Sequence, residues 1–379
     1  MGAQSLANVT SFRSSKARTA ISLVELLVVI AISTMLVTML LPAVHMARSS
    51  ARTAQCASNL RQFGVGFSAY TEKRGAFCSG AFDWKYDGPV TEVGWVADLR
   101  KLNVATGLML CPSNSAQLSS TFEDLLTAEK EDLGQCVDHQ GTDTIVHLDG
   151  TLRANPCYQI LNEPQKYPPN SEARKELIVT NILNENINTN YTASWLMVRS
   201  RPRLDRSGNI TSEKPECQPN IKHRPSSFGP LQSRWVDAAA APLSIIPLVG
   251  DGTIAGTLSS DLGPYLQGSE YVGSFTAGPA KITSFETPQF AKGTPQGGPN
   301  GWWEVWKKNT LQDYRSFGMV HKGACNILMA DGSVRVFHDE NNDGFLNNGF
   351  SELSHGVDPE EAIEAPSDKL FSGAAVSGI

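Results

Sequence analysis

The chain has 379 residues, a formal net charge of −6 and 41% hydrophobic residues. That length allows one to three domains with a sizeable core. An acidic balance with no long stripe of Lys and Arg argues against a nucleic-acid partner.

A basic leader comes first, with Arg13, Lys16 and Arg18 and no acid. It runs into an apolar stretch in which Leu26 to Leu41 carry no charge, and Ser33, Thr34 and Thr38 can bond back to their own helix carbonyls. As a helix, residues 21–44 would cover about 36 Å at 1.5 Å per residue. That suffices to span a bilayer core with some tilt. The positive-inside rule then puts residues 1–20 in the cytoplasm and everything after about residue 45 on the far side. A buried soluble helix fits poorly, since the run shows no polar face. An ordinary secretory signal fits poorly too, because Ala43-Val44-His45 offers no small-residue pair for cleavage and the helix pattern continues beyond it. Glu25 is the one carboxylate near the start of the run, where a charge is tolerable only if paired.

Ala20-Ile21-Ser22-Leu23-Val24-Glu25-Leu26-Leu27 resembles the cleavage and methylation signal of type IV prepilins and type II secretion pseudopilins. The resemblance implies that a prepilin peptidase cuts between Ala20 and Ile21 and methylates the new terminus. Glu25 becomes the fifth residue of the mature chain, pairing with the free N-terminus of a neighbouring subunit. Pro42 stands where many pilin helices carry a proline. Ala20 replaces the family's usual Gly, and Ile21 its common Phe.

Residues 48–70 continue the helix to about Thr71, with Ala51, Ala54, Leu60, Phe63 and Phe67 marking a buried face and Arg48, Arg52 and Arg61 a wet one. Pro42 should kink or loosen it. Gly64 and Gly66 weaken it by about 1 kcal/mol each relative to Ala, and allow close packing on a sheet. Residues 94–99 and 107–112 read as a small α+β lead-in. Residues 121–133 read as one short acidic helix, with Thr121 as N-cap and Asp124 at the capping-box position. Residues 190–199 and 243–249 read as strands. Residues 199–235 and 255–300, rich in Pro, Gly and Ser, read as long loops. Residues 324–337 form the clearest hairpin, with Asp331-Gly332 as a two-residue turn between alternating strands. The segment 353–379 reads as a flexible acidic tail.

These elements predict an α+β fold: a long N-terminal membrane-spanning helix packed on a mainly antiparallel β-sheet domain, as in pilins. The domains are a leader at 1–20, a transmembrane and spine helix at 21–72, an extracytoplasmic domain at 73–352 and the tail at 353–379.

The seven cysteines, Cys56, Cys78, Cys111, Cys136, Cys157, Cys217 and Cys325, form no CxxC pair, so a zinc site has no local support. Outside the cytoplasm some would be disulfide-bonded, and the odd count leaves at least one free thiol or an intermolecular link. His321 stands ten residues before Asp331-Gly332. With Cys56–Gln62 and Cys111-Pro112-Ser113, it resembles a large bacterial family of prepilin-like proteins with a C-terminal His-x9-Asp-Gly signature and a globular domain without assigned activity. His321 reads as a structural hydrogen-bond partner rather than a catalytic base.

Asp339, Asn341 and Asp343, followed by Gly344, match the opening of a calcium loop, with a Phe345 carbonyl and Asn347 as further ligands. Phe350 stands where the closing acid belongs, and Glu352 is the nearest substitute. Some pseudopilins carry a calcium site in this part of the domain. The Trp302-Trp303-Glu304-Val305-Trp306 cluster suits either a core or a ligand platform. His139, His147 and Asp149 lie close in sequence but lack ligand spacing. The chain has no HExxH, P-loop, GxSxG or dinucleotide-binding glycine fingerprint, so nothing in it supports catalysis. The resulting expectation is a non-enzymatic, membrane-anchored pilin-like or pseudopilin-like subunit of a type II secretion or type IV pilus-like assembly, with other pilin-like subunits as partners. The alternative is a monomeric surface-anchored binding module that uses the signal only for export and anchoring.

Overall fold

The apolar run and the amphipathic stretch after it form one helix, α1 (Leu23–Arg74), in a computed structural model that describes residues 22–147, 149–351 and 363–376. The leader, Ala20, Ile21 and Glu352 lie outside the described residues. Two compact units divide the chain, one through Ser50 and one from Ala51.

In the first unit, α1 is helical through Pro42, and its large apolar side chains from Leu23 to Met46 are exposed. This stretch is long and apolar enough to cross a membrane. The Thr34 and Thr38 hydroxyls donate to the carbonyls of Ala31 and Met35, so neither leaves an unmet donor in the run.

In the second unit, burial on α1 begins at Cys56 and continues through Leu60, Phe63 and Phe67, while Ala51 and Ala54 stay exposed. The face packs on a four-stranded antiparallel sheet of β1 (Tyr191–Ala193), β2 (Pro247–Asp251), β3 (Ala324–Met329) and β4 (Val334–His338), in that spatial order. Both faces of the sheet are covered. Leu328 joins the core that contains Phe63 and Trp95, whereas Cys325, Ile327 and Met329 enter a second core with Tyr314, Phe317 and Leu346. Gly64 sits where a Cβ would stand 3.0 Å from Leu328 Cδ1 and 3.3 Å from Gly332 Cα, so its bare backbone permits the close approach of helix and hairpin. Gly66 packs instead against Leu99 on the short helix Trp95–Arg100.

Several local expectations give way to tertiary context. Residues 190–199 are β1 followed by a helix, Trp195–Arg199, because Ser194 caps it by accepting from the Met197 N–H. The acidic helix is two pieces, Thr121–Thr127 and Lys130–Leu133; Ser120 precedes the first without a side-chain cap, and the capping box belongs to Glu129 and Asp132 of the second. Of the second strand candidate only residues 247–249 are strand, within Pro247–Asp251, since Leu243–Ile245 coil into a 3-10 turn. The stretch 255–300 carries paired strands at Ile254–Thr257, Glu270–Val272 and Gly278–Lys281. The hairpin loop has three residues, Ala330, Asp331 and Gly332, closed by Met329 N–H to Ser333 O, with Gly332 left-handed at φ 83°. Asp331 fixes that turn by accepting from the Ser333 N–H and hydroxyl.

The C-terminal segment departs most from expectation. In residues 363–376, Ala365 and Leu370 fill the second core, Phe371 N–H donates to Ile245 O, and Tyr314 Oη donates to Phe371 O. Small residues such as Ala365 and Ala374 pass for a solvated tail in sequence, yet Ala365 is buried in the second core and Ala374 against Trp302 and Trp306.

Candidate functional site

Three places collect the residues that the sequence singles out. At the start of α1, Ser22 and Glu25 form a reciprocal cap: Ser22 N–H donates to Glu25 Oε2 at 2.8 Å, and Glu25 N–H donates to Ser22 Oγ at 3.2 Å. Sequence reasoning missed this cap, although Ser-x-x-Glu spacing is its signature. The carboxylate therefore satisfies an end of its own helix in a chain that still holds residues before Ile21.

The second place surrounds His321, which the loop before β3 buries. Its Nδ1 lies 3.1 Å from Thr53 Oγ1 on α1, and its Nε2 lies 3.1 Å from Asp251 Oδ2 at the end of β2 and 3.5 Å from Cys111 Sγ. Cys111 is disulfide-bonded to Cys56 of α1, so helix, lead-in, sheet and signature loop meet at one point. Asp251 Oδ2 also accepts from the Asn326 N–H at 2.8 Å and from Asn326 Nδ2 at 3.1 Å. Asp251 Oδ1 is buried and has no hydrogen-bond partner among the described residues. Asp331 and Gly332 are at the far end of the hairpin and serve its turn. Sequence reasoning missed Thr53, Asp251 and Asn326. Cys56 and Cys111 each sat in a noted motif, a hint that they pair. A second disulfide joins Cys136 to Cys217, and Cys78, Cys157 and Cys325 are free and buried. Burial pushes the thiols of Cys78 and Cys325 well up, and that of Cys157 to about 12.

The third place is the loop 339–347. Asp339 accepts from the N–H groups of Asp343 and Gly344, Asn341 Oδ1 from Asp343 N–H, and Asp343 Oδ1 from Phe345 N–H. Asn347 Oδ1 accepts from Gly349 and Phe350 N–H. Glu364, missed by local spacing, crosses from the C-terminal segment: Oε1 accepts from Glu340 and Asn341 N–H and Oε2 from Asn347 N–H. Burial raises the Glu364 carboxyl, opposed by those three backbone donors.

Elsewhere, Trp302 and Trp306 are buried, with their indole N–H groups donating to Arg206 O and Gly208 O, so two rings of the cluster belong to a core. His139 Nε2 lies 3.0 Å from Lys85 O, His147 Nδ1 lies 2.7 Å from Glu185 Oε1, and Asp149 pairs with Arg153. The three do not converge on one point.

A family model described as a protein of unknown function (DUF1559) matches residues 237–344. The chain is similar to that family over this stretch, which holds Asp251, His321 and the Asp331-Gly332 turn. Cys56, Cys111 and Glu25 lie outside it. No curated protein and no solved structure matches the chain.

Proposed function

We propose that this protein is a membrane-anchored, pilin-like structural subunit, processed by a prepilin peptidase and assembled with other pilin-like subunits in a type II secretion or type IV pilus-like machine. The observation that carries the reading is a single helix, α1, with two kinds of surface. Its first half exposes large apolar side chains that no described residue covers, and its second half is built into the core of an α+β domain. Exposed apolar surface on this scale needs lipid or another helix to cover it. The likeness to the matched family supports the same reading.

On this reading the N-terminus is cytoplasmic, the domain is extracytoplasmic and the role is structural rather than catalytic. Cutting after Ala20 would leave the Ser22–Glu25 cap in the first turn and create a new ammonium at Ile21, and on this reading Glu25 exchanges its cap for the terminus of a neighbour. Calcium at Asp339, Asn341, Asp343, Phe345 and Asn347 belongs to this proposal. Glu364 supports it by standing against the loop where Phe350 offers no acid.

Intact-mass analysis of the native protein, combined with cross-linking through a cysteine introduced within residues 25–40, tests the reading. A chain beginning at methylated Ile21 and giving cross-linked ladders is expected. A chain beginning at Met1 or after residue 44, or one that stays monomeric, rejects it, and processed monomers would favour the anchored binding module.

A further inference from the structure

Cys56 Sγ, Cys111 Sγ, an Asp251 carboxylate oxygen and a His321 ring nitrogen all lie within 4.8 Å of one another, and all four residues are buried. They come from four separate segments: α1, the lead-in, the end of β2 and the loop before β3. Around a tetrahedral zinc ion, ligand atoms at about 2.0–2.3 Å from the metal stand within about 4 Å of one another. The spread here is therefore close to that of a four-ligand cage.

We propose that, when the Cys56–Cys111 bridge is reduced, these four side chains hold one zinc-class divalent cation, so that the point joining helix to sheet has a disulfide form and a metal form. Two further observations support it. Among the described residues, the buried Asp251 Oδ1 has no hydrogen-bond partner, a costly state for a carboxylate oxygen that a cation would relieve. The supporting partners are also in place: Thr53 Oγ1 stands at His321 Nδ1, where it can accept and leave Nε2 free to ligate, and Asn326 holds Asp251 Oδ2 by two bonds. Two thiolates and an imidazole favour zinc over calcium or magnesium, and four protein ligands in a buried place describe a structural site rather than an open catalytic one.

The exchange balances. A thiol reductant of the glutathione class delivers two electrons and two protons to the S–S bond, giving two thiols and one molecule of its own disulfide. The incoming cation displaces both thiol protons. A disulfide oxidant later removes two electrons from the thiolates, the S–S bond re-forms and the cation leaves. On the proposed function, the chain would meet reducing thiols before export and oxidants after it.

The test uses the full chain in detergent, reduced, freed of metal and titrated with cobalt(II) as the spectroscopic stand-in for zinc. We expect one equivalent to bind with a thiolate-to-cobalt charge-transfer band and tetrahedral visible bands. Zinc should displace it, H223A should retain the signal, and C56S/C111S should lose it. H223A controls for the partly exposed Cys136, Cys217 and His223 group. Adding a disulfide oxidant should release one cobalt for each Cys56–Cys111 bridge mapped by peptide mass. This last measurement needs no variant, so it decides even if C56S/C111S fails to fold. Absence of the band in the reduced chain, its survival in C56S/C111S, or bridge formation without release overturns the proposal.

Discussion

Asp83 and Asp124 show how single residues here trade stability for position. Burial raises both carboxyls first; the charge of Asp87 then adds to the effect on Asp83, and that of Asp83 to the effect on Asp124, which reach about 6 and about 7. An unfolded aspartate titrates near 4, so the folded chain holds these protons more tightly than the unfolded one. Their contribution is therefore fully present below about pH 4 and is lost as pH rises through about 6 to 7. D124N should raise Tm, with a gain that is small at pH 4, grows toward pH 7 and then levels off. Thermal unfolding at pH 4, 6 and 8 checks it, and an equal gain at all three would contradict it. Residue-scale features of this kind were only partly legible in the sequence. The Ser22–Glu25 cap had a local signal in its spacing, but the reading of Glu25 as a docking charge passed over it. Asp251 and Thr53 have no such signal, because what brings them to His321 is strand pairing and helix packing over long separations. The same separation hid the Cys56–Cys111 partnership from a search for local cysteine pairs.

Among the elements, those that the sequence declares have strong period or length: α1 from its apolar run, and β3 and β4 from alternating strands around Asp331-Gly332. Those it misdeclares are short, where one capping serine or one buried neighbour outweighs propensity, as at Ser194. The loop 339–347 lies between these cases. Its Asp/Asn/Gly spacing was readable, while the carboxylate that holds its backbone, Glu364, lies on another element. On the calcium proposal, adding calcium to chelator-treated protein should raise Tm, and D343A should abolish the rise; because Asp343 is half-buried and accepts from the Phe345 N–H, D343A should also lower the calcium-free stability by about 1 kcal/mol. A calcium response undiminished in D343A would place the ion elsewhere.

For the whole molecule, the α+β plan with a long apolar helix was legible because hydrophobic pattern sets it. The role of the C-terminal segment was not, because its buried residues, Ala365, Leu370 and Ala374, are scattered among polar and small ones rather than gathered in a hydrophobic run. A chain stopped after Ser351 would lose Leu370 and Ala365 from the second core and uncover Tyr314, Phe317 and Ile327. Losing one buried Leu alone costs about 1.5–3 kcal/mol. We expect that chain to show a lowered Tm and strong binding of a hydrophobic dye, and an unchanged Tm would reject the assignment. The sheet order has a consequence in time as well as in space. β2 can pair with β1 as soon as both exist, but its other edge waits for β3, and the whole stretch 252–323 is made in between. Until then a nascent domain carries an open, apolar strand edge, the kind of surface on which unfinished chains stick to one another. Residues 324–329 close that edge, and only the return of the hairpin, residues 334–338, then covers β3 in its turn.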